Sequence, residues 1–301
     1  GWRGVLGEEV TFGRLRVLVR SVAQWIGEQD QGDRVLVGWD GRFASRTMAE
    51  IAAGILLEAG LRPALSDACT ATPLVTHALT RGRHAAGLVL TASHNPAAHH
   101  GLKVFASTGA AIDDRAARRI EAIARARRRE TAPTSGERRL TAAPDLAAAY
   151  LEDLSRVVDG EALRGTGVTV VLDAMHGAAG GLLERWLRGY GVSVEALRSD
   201  LDPRFGGSAP DPVAENLAGL VAATRARPGL VVGVANDGDG DRVGAVDGRG
   251  RILSETQLVA LLVDHLAGCG RITRGIAIGS ATGSLVERVA ERHGLAVERH
   301  P

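Results

Sequence analysis

Short apolar runs and amphipathic stretches alternate almost from end to end of this chain, and that alternation restricts its fold more than any other feature. Residues 34–38, 86–90, 168–172, 192–197, 230–234 and 276–278 read as strands, being short, apolar and bounded by turn residues. Residues 44–59, 113–128, 146–158, 180–190, 212–225, 256–267 and 284–293 read as helices, and Gly60 supplies a stop for the first of them. Thr72-Pro73 predicts one more helix start, with Thr72 as N-cap and Pro73 in the first turn. Such an order predicts an α/β protein of consecutive α/β/α domains with mixed parallel sheets. Three sets of elements divide it into 1–143, 144–251 and 252–301. Residues 125–144, rich in Arg, Thr, Pro, Ser and Gly without apolar period, read as the linker between the first two. Residues 1–4 read as turn, and 294–297 as a strand shortly before His300-Pro301, so both ends look cut and the third unit is expected to be incomplete.

Composition removes several classes of function. At 301 residues the chain exceeds one ordinary core, and its 45% apolar and 24% charged residues suit a soluble globular protein. With 36 basic and 35 acidic residues there is no global pull toward nucleic acid or membrane. The Arg127-Arg128-Arg129 run lies among Glu130 and Glu137 without aromatics and reads as a solvated helix end. No apolar run reaches membrane-spanning length and no signal peptide is visible, so a cytoplasmic protein is expected. Cys69 and Cys269 have neither metal-ligand nor redox spacing and are expected to be buried free thiols.

Two loops carry chemistry, each directly after an apolar run. Thr91-Ala92-Ser93-His94-Asn95-Pro96 follows 86–90, which puts the Ser93 hydroxyl at a strand's carboxyl end, where open α/β sheets bind ligands. A hydroxyl there can accept a phosphoryl group if a cation offsets the charge, with His94 and Lys103 close enough in sequence to move protons. Taken alone, a turn capping the next helix explains these residues as well. A serine-hydrolase elbow does not, because no Gly-x-Ser-x-Gly surrounds Ser93. Asp237, Asp239 and Asp241 alternate with Gly238 and Gly240 after 230–234. Three such carboxylates repel unless a cation neutralises them, and hard oxygen donors favour Mg²⁺ or Ca²⁺. A solvated Asp-Gly turn is the plain alternative. An EF-hand is excluded, since its sixth position would be Arg242 and its twelfth Gly248. Arg3, Arg42 and Arg242 are candidates for forked phosphate contacts.

Together these segments resemble the α-D-phosphohexomutase superfamily, which includes phosphoglucomutases and phosphomannomutases. The resemblance rests on residues 1–4, Gly38-Trp39-Asp40-Gly41-Arg42, Thr72-Pro73, the Ser93 loop, Gly101-Leu102-Lys103, Phe205-Gly206-Gly207, Glu215-Asn216-Leu217 and the Asp237–Arg242 loop. It implies four domains around a cleft, the fourth of them absent here. It implies that Ser93 is a phosphoserine and that Asp237, Asp239 and Asp241, with a phosphoryl oxygen on Ser93, bind Mg²⁺. Lys103 matches a lysine associated with proton transfer, Arg242 an active-site arginine, Arg3 an arginine near the phosphoserine, and His94 the histidine of the serine loop. The implied reaction interconverts a hexose 1-phosphate and 6-phosphate, of glucose or mannose, with a hexose 1,6-bisphosphate as intermediate and activator. Two departures stand out. The family's Asn-Gly pair is His100-Gly101 here, and its Pro-Glu-Pro is Pro210-Asp211-Pro212. Two other readings compete: a haloacid-dehalogenase-type phosphatase with Asp237 as nucleophile and Asp239 as acid, and a non-catalytic fragment that binds sugar phosphate.

Overall fold

The computed structural model describes residues 1–127 and 140–300. Residues 128–139, which include most of the expected linker and Arg128, Arg129, Glu130 and Glu137, lie outside the described residues.

The first set of elements is β1 (Trp2–Val5), α1 (Phe12–Glu28), β2 (Arg34–Trp39), α2 (Ser45–Glu58), β3 (Arg62–Leu65), α3 (Thr72–Arg81), β4 (Ala86–Leu90), β5 (His99–Ala106), α4 (Asp114–Ala126), β6 (Thr141–Ala142) and α5 (Leu146–Val157). Its strands form one sheet in the order β1-β5-β4-β2-β3-β6. β2, β3, β4 and β6 run parallel, while β5 is antiparallel to both β4 and β1. β4 lies inside this sheet and all five of its residues are buried, as an unbroken Ala-Gly-Leu-Val-Leu run requires. Each fully buried leucine there contributes roughly 1.5–3 kcal/mol.

One face of the sheet is covered by α1, α2 and α4 through Leu15, Val19, Val22, Ile26, Met48, Leu56, Ile120 and Ile123. The other is covered by α3 and the start of α5 through Leu74, Val75, Leu79 and Leu146. Residues 1–4, expected as a turn, instead lead into an edge strand over Trp2–Val5, in which Gly4 pairs with His100 in a register that carries Arg3 opposite Gly101. α1 and β5 also escaped the sequence pattern. α1 buries Leu15, Val19, Val22 and Ile26 at helical spacing, and Thr11 caps it by accepting from the Arg14 N–H.

The second set comprises β7 (Thr169–Asp173), α6 (Leu182–Gly189), β8 (Ser193–Leu197), α7 (Ala218–Arg225), β9 (Val231–Asn236) and β10 (Val243–Asp247). The sheet order is β10-β9-β7-β8, with β9 and β10 an antiparallel hairpin. The expected helix from 212 begins only at Ala218; residues 214–216 make a single 3₁₀ turn. Pro210 and Pro212 lie in a segment of tight turns, with the Asp211 and Val213 N–H groups bonded two residues back, which cannot join a helix. α5 bridges the two sets, with Leu146 packed on α3 and its Leu151 and Leu154 on the second sheet's core. The third set is α8 (Glu255–Gly268), β11 (Gly275–Gly279), α9 (Ser284–Arg292) and β12 (Ala296–His300), with β11 and β12 parallel.

No helix among the described residues is long and apolar enough to cross a membrane. Cys69 is half-buried and Cys269 is exposed, so the expectation of two buried thiols fails at Cys269, which sits at the solvated end of α8.

Candidate phosphoryl-transfer site

The Ser93 loop leaves β4 and the Asp237–Arg242 loop turns the β9–β10 hairpin, so each is carried by a strand inside its own sheet. The two loops meet. Ser93 Oγ donates to Asp237 Oδ2 at 2.8 Å, across 144 residues of sequence. A Cβ on Gly238 would lie 2.6 Å from the Ser93 carbonyl oxygen, so only glycine lets the backbones approach this closely. Gly240, at φ 74°, supplies the left-handed step that brings Asp239 and Asp241 round to the same side.

Ser93 is itself left-handed, at φ 54°, and 1% exposed. For a non-glycine residue that conformation costs about 1–2 kcal/mol and persists only where the surroundings enforce it. The enforcement is visible. The Ser93 N–H donates to Thr91 Oγ1 at 2.8 Å, and Arg42 grips the rest of the loop. Arg42 Nη2 donates to the carbonyls of Ser93 and Asn95, both at 2.6 Å, and Nη1 to those of Pro96 at 2.9 Å and His99 at 3.0 Å. Its Nε pairs with Asp40 Oδ2 at 3.1 Å, so every N–H of the guanidinium is engaged. The ring of Phe205, from the second set of elements, lies 4.8 Å from the guanidinium carbon. Arg42 was a candidate phosphate ligand; with its donors saturated and its side chain wholly buried it is instead the clamp of the serine loop.

The acidic loop is equally constrained. Asp237, Asp239 and Asp241 offer oxygens within 4.8 Å of one another, the first two wholly buried. Burial, then the charges of Asp239 and Asp241, hold the Asp237 carboxyl well above the usual carboxylate range. Its Oδ1 accepts the Asp241 and Arg242 N–H groups at 3.0 and 2.9 Å. Burial also opposes ionisation of Asp239, but the charge and hydrogen bond of Lys103, with a bond from Thr72, bring it below the usual range. Lys103 Nζ donates to Asp239 Oδ2 at 2.7 Å and to Asp241 Oδ2 at 2.5 Å. Asp239 Oδ1 is buried and has no hydrogen-bond partner. An orphaned carboxylate oxygen and an all-oxygen donor set fit a hard divalent cation, while Lys103 meets part of the acids' charge from one side.

His94 Nδ1 lies 3.4 Å from Ser93 Oγ, and burial followed by the nearby Arg242 charge lowers the ring below its ordinary pKa. Arg3 Nη1 reaches Asn95 Oδ1 at 3.3 Å on the serine loop. Arg242 is half-exposed, with Nη1 3.6 Å from Asp211 Oδ1, an acid from the Pro-Asp-Pro segment. Every residue singled out from sequence for the chemistry therefore touches one of the two loops.

Thr72 was misread. α3 begins with Ala71 as N-cap, and Thr72 turns its hydroxyl to Asp239 Oδ2 at 2.5 Å while its N–H donates to the Asp239 carbonyl at 2.8 Å. Pro at the first helical position is the commoner arrangement and favours the residue before it as cap; here Pro73 falls one position later, which leaves the Thr72 hydroxyl to Asp239.

A strained serine pressed against an acidic cluster, at the meeting point of two α/β sheets, defines a protein built to bring a hydroxyl and a cation site together. Comparison with known proteins is consistent with that description. Residues 1–131 match the family described as phosphoglucomutase/phosphomannomutase, alpha/beta/alpha domain I, and residues 148–250 match alpha/beta/alpha domain II of the same family. The chain belongs to this family, within the α-D-phosphohexomutases. A probable phosphoglucosamine mutase of Methanothermobacter thermautotrophicus is 32% identical over 89% of the chain and 58% of its own length. A phosphopentomutase of Thermococcus kodakarensis is 30% identical over 100% of the chain and 64% of its own length. The crystal structure of a putative phosphomannomutase from Thermus thermophilus superposes with a TM-score of 0.87 at 33% identity, covering 100% of the chain and 68% of that protein. The chain thus spans about three fifths of the length of the curated relatives it matches.

Proposed function

We propose that this chain carries the phosphoryl-transfer centre of a phosphohexomutase that interconverts a hexose 1-phosphate and its 6-phosphate, with glucose or mannose as the sugar. The single observation that carries the reading is the 2.8 Å contact of Ser93 Oγ with Asp237 inside a three-carboxylate cluster. The mutase names of the relatives support the reaction class, though they include glucosamine and pentose as well as mannose phosphates.

In this proposal Ser93 carries the phosphoryl group. A hydroxyl oxygen of the sugar phosphate bonds to phosphorus as the bond from phosphorus to Ser93 Oγ breaks. The hydroxyl proton passes to a side chain of the site, and the Ser93 oxygen takes a proton up. The resulting hexose 1,6-bisphosphate reorients, and the same exchange in reverse at the other phosphate restores phospho-Ser93. The same bisphosphate serves as activator by phosphorylating an unmodified Ser93. Asp237, Asp239 and Asp241 would hold Mg²⁺, whose charge offsets that of the phosphoryl group in transfer.

Lys103 and His94 are the proposed proton carriers. A His94 ring held neutral beside Ser93 Oγ is in the form that accepts a proton. Arg3 and Arg242 stand at the exposed margin, where forked donors suit a phosphate. The proposed division at 143 and 251 gives each loop its own sheet. The phosphatase reading has less support, since both oxygens of Asp237 are already engaged, by Ser93 and by two backbone N–H groups.

The test supplies glucose, mannose and glucosamine 1-phosphates with Mg²⁺ and a trace of the bisphosphate. Appearance of the 6-phosphate, abolished by Ser93→Ala, is the expected result. Isomerisation that survives Ser93→Ala would sink the reading.

A further inference from the structure

His100 replaces the asparagine of the Asn-Gly pair in the family resemblance, and nothing in the chemistry above uses it. It is wholly buried on β5, behind the serine loop. His100 Nδ1 lies 2.8 Å from the Gly101 nitrogen, which donates to it, and 3.3 Å from the Gly101 carbonyl oxygen; because the one Ser45 hydroxyl proton goes to Asp40, Nε2 is the nitrogen that donates to Ser45. Nε2 lies 2.8 Å from Ser45 Oγ, and Ser45 Oγ donates to Asp40 Oδ1 at 2.6 Å. Oδ1 of Asp40 also accepts the Arg42 N–H at 3.1 Å, while Oδ2 takes the Arg42 Nε. A single directed chain of hydrogen bonds therefore runs from His100 through Ser45 and Asp40 to the guanidinium that grips the carbonyls of Ser93, Asn95, Pro96 and His99.

We propose that His100, as its neutral Nε2–H form, is a positioning residue for the Ser93 loop, acting through Ser45 and Asp40 on the Arg42 clamp. Without the donor at Nε2, Ser45 loses its fixed direction, Asp40 swings more freely, and Arg42 no longer has a rigid anchor for four carbonyls. Protonation of the ring has a like effect. It would set a new N–H at Nδ1 against the Gly101 N–H, with the Gly101 carbonyl at 3.3 Å as its acceptor, so the present Gly101 N–H bond is lost.

The charged groups acting on the ring are Asp40 and Arg42, both from the turn after β2; the facing residue of β1 is Gly4, and α2 presents the neutral Ser45. Burial lowers the ring's pKa; Asp40 opposes this, Arg42 adds to it and the Gly101 carbonyl opposes it, with burial the largest, so the ring lies below its ordinary value. The folded-state pKa lies below the unfolded one. The stabilisation is thus complete above the ordinary value of about 6.5 and falls away as pH drops below it.

The inference rests on the proposed role of Ser93, so its test has one readout that does not. Hydrogen exchange of the loop amides of Ser93, Asn95 and His99 reports positioning. Transfer of label from glucose 1,6-bisphosphate to Ser93 reports its consequence. His100→Ala and Ser45→Ala are expected to raise exchange in residues 91–99 by about tenfold and to slow labelling by about tenfold or more. His100→Gln, whose longer side chain can place an amide N–H near the position of Nε2 and so donate to Ser45, is expected to restore both at mildly alkaline pH. It should also lack the wild-type loss of loop protection below about pH 6.5. Unchanged loop exchange in His100→Ala overturns the inference. So does exchange raised uniformly over residues 1–127, which would mark a purely structural role. A wild-type chain that takes no label, while His100→Ala still frees the loop, sinks the proposed function and leaves the positioning role standing.

Discussion

Replacing Arg42 by lysine keeps the positive charge and removes the fork. The wild-type guanidinium sends five N–H donors to Asp40 and four carbonyls from a side chain with no exposure. An ammonium has three donors radiating from one atom, so at least two of these acceptors lose their partner. Each buried acceptor left unpaired costs about 1–3 kcal/mol, and Phe205 loses the flat cation stacked on its ring, so a net loss of about 3 kcal/mol is expected for Arg42→Lys. At a typical urea dependence that lowers the unfolding midpoint by about 1 M or more. The serine, no longer forced into its left-handed geometry, should accept a phosphoryl group about a hundredfold more slowly. Urea unfolding followed by fluorescence, together with timed labelling of Ser93 from glucose 1,6-bisphosphate, measures both. A midpoint shifted by less than about 0.2 M, with labelling unchanged, would refute the clamp.

Other perturbations address separate parts of the site. Thr72→Val keeps the shape of the side chain but removes the donor to Asp239; Mn²⁺ affinity should fall by about tenfold in a titration followed by electron paramagnetic resonance, and unchanged affinity would show that Asp239 is held without Thr72. Phe205→Leu retains apolar volume but not the ring face over Arg42, so thermal stability should drop by about 1 kcal/mol, whereas no change would mean the stack contributes only packing. Burial, with Asp40 adding to it, pushes the Cys69 thiol up to about 12. The reactive thiolate is therefore scarce at neutral pH and grows only as pH rises. In mass spectrometry after brief alkylation, Cys269 should carry the label and Cys69 should not; rapid modification of Cys69 in the folded chain would contradict its placement.

What the sequence made legible was whatever a local pattern can encode. The buried run before Ser93 and the spaced aspartates before Arg242 each announced a strand end with chemistry attached. Their contact across 144 residues depends on how two sheets meet, which no local period records. Arg42 shows the same limit: as an isolated arginine it suited a phosphate, and only the fold reveals five internal acceptors. Thr72 was read through its capping habit because its partner, Asp239, lies 167 residues away. α1 went unread although Leu15, Val19, Val22 and Ile26 follow a helical period after a capping Thr11. β1 was not legible, because Trp2-Arg3-Gly4-Val5 is only four residues with a glycine inside it, carries no strand signal and owes its conformation to pairing with β5. The false start of the helix at 212 came from apolar periodicity outweighing Pro210 and Pro212, around which the backbone makes tight turns instead.

The central claim is that Ser93 is the residue that carries the phosphoryl group. Its most direct test is to incubate the chain with Mg²⁺ and phosphorus-labelled glucose 1,6-bisphosphate, digest it, and locate the label by peptide mapping. The account expects one acid-stable phosphoserine at Ser93, absent from Ser93→Ala and strongly reduced in Asp237→Asn. An acid-labile acyl phosphate on Asp237, or label retained in Ser93→Ala, would contradict it.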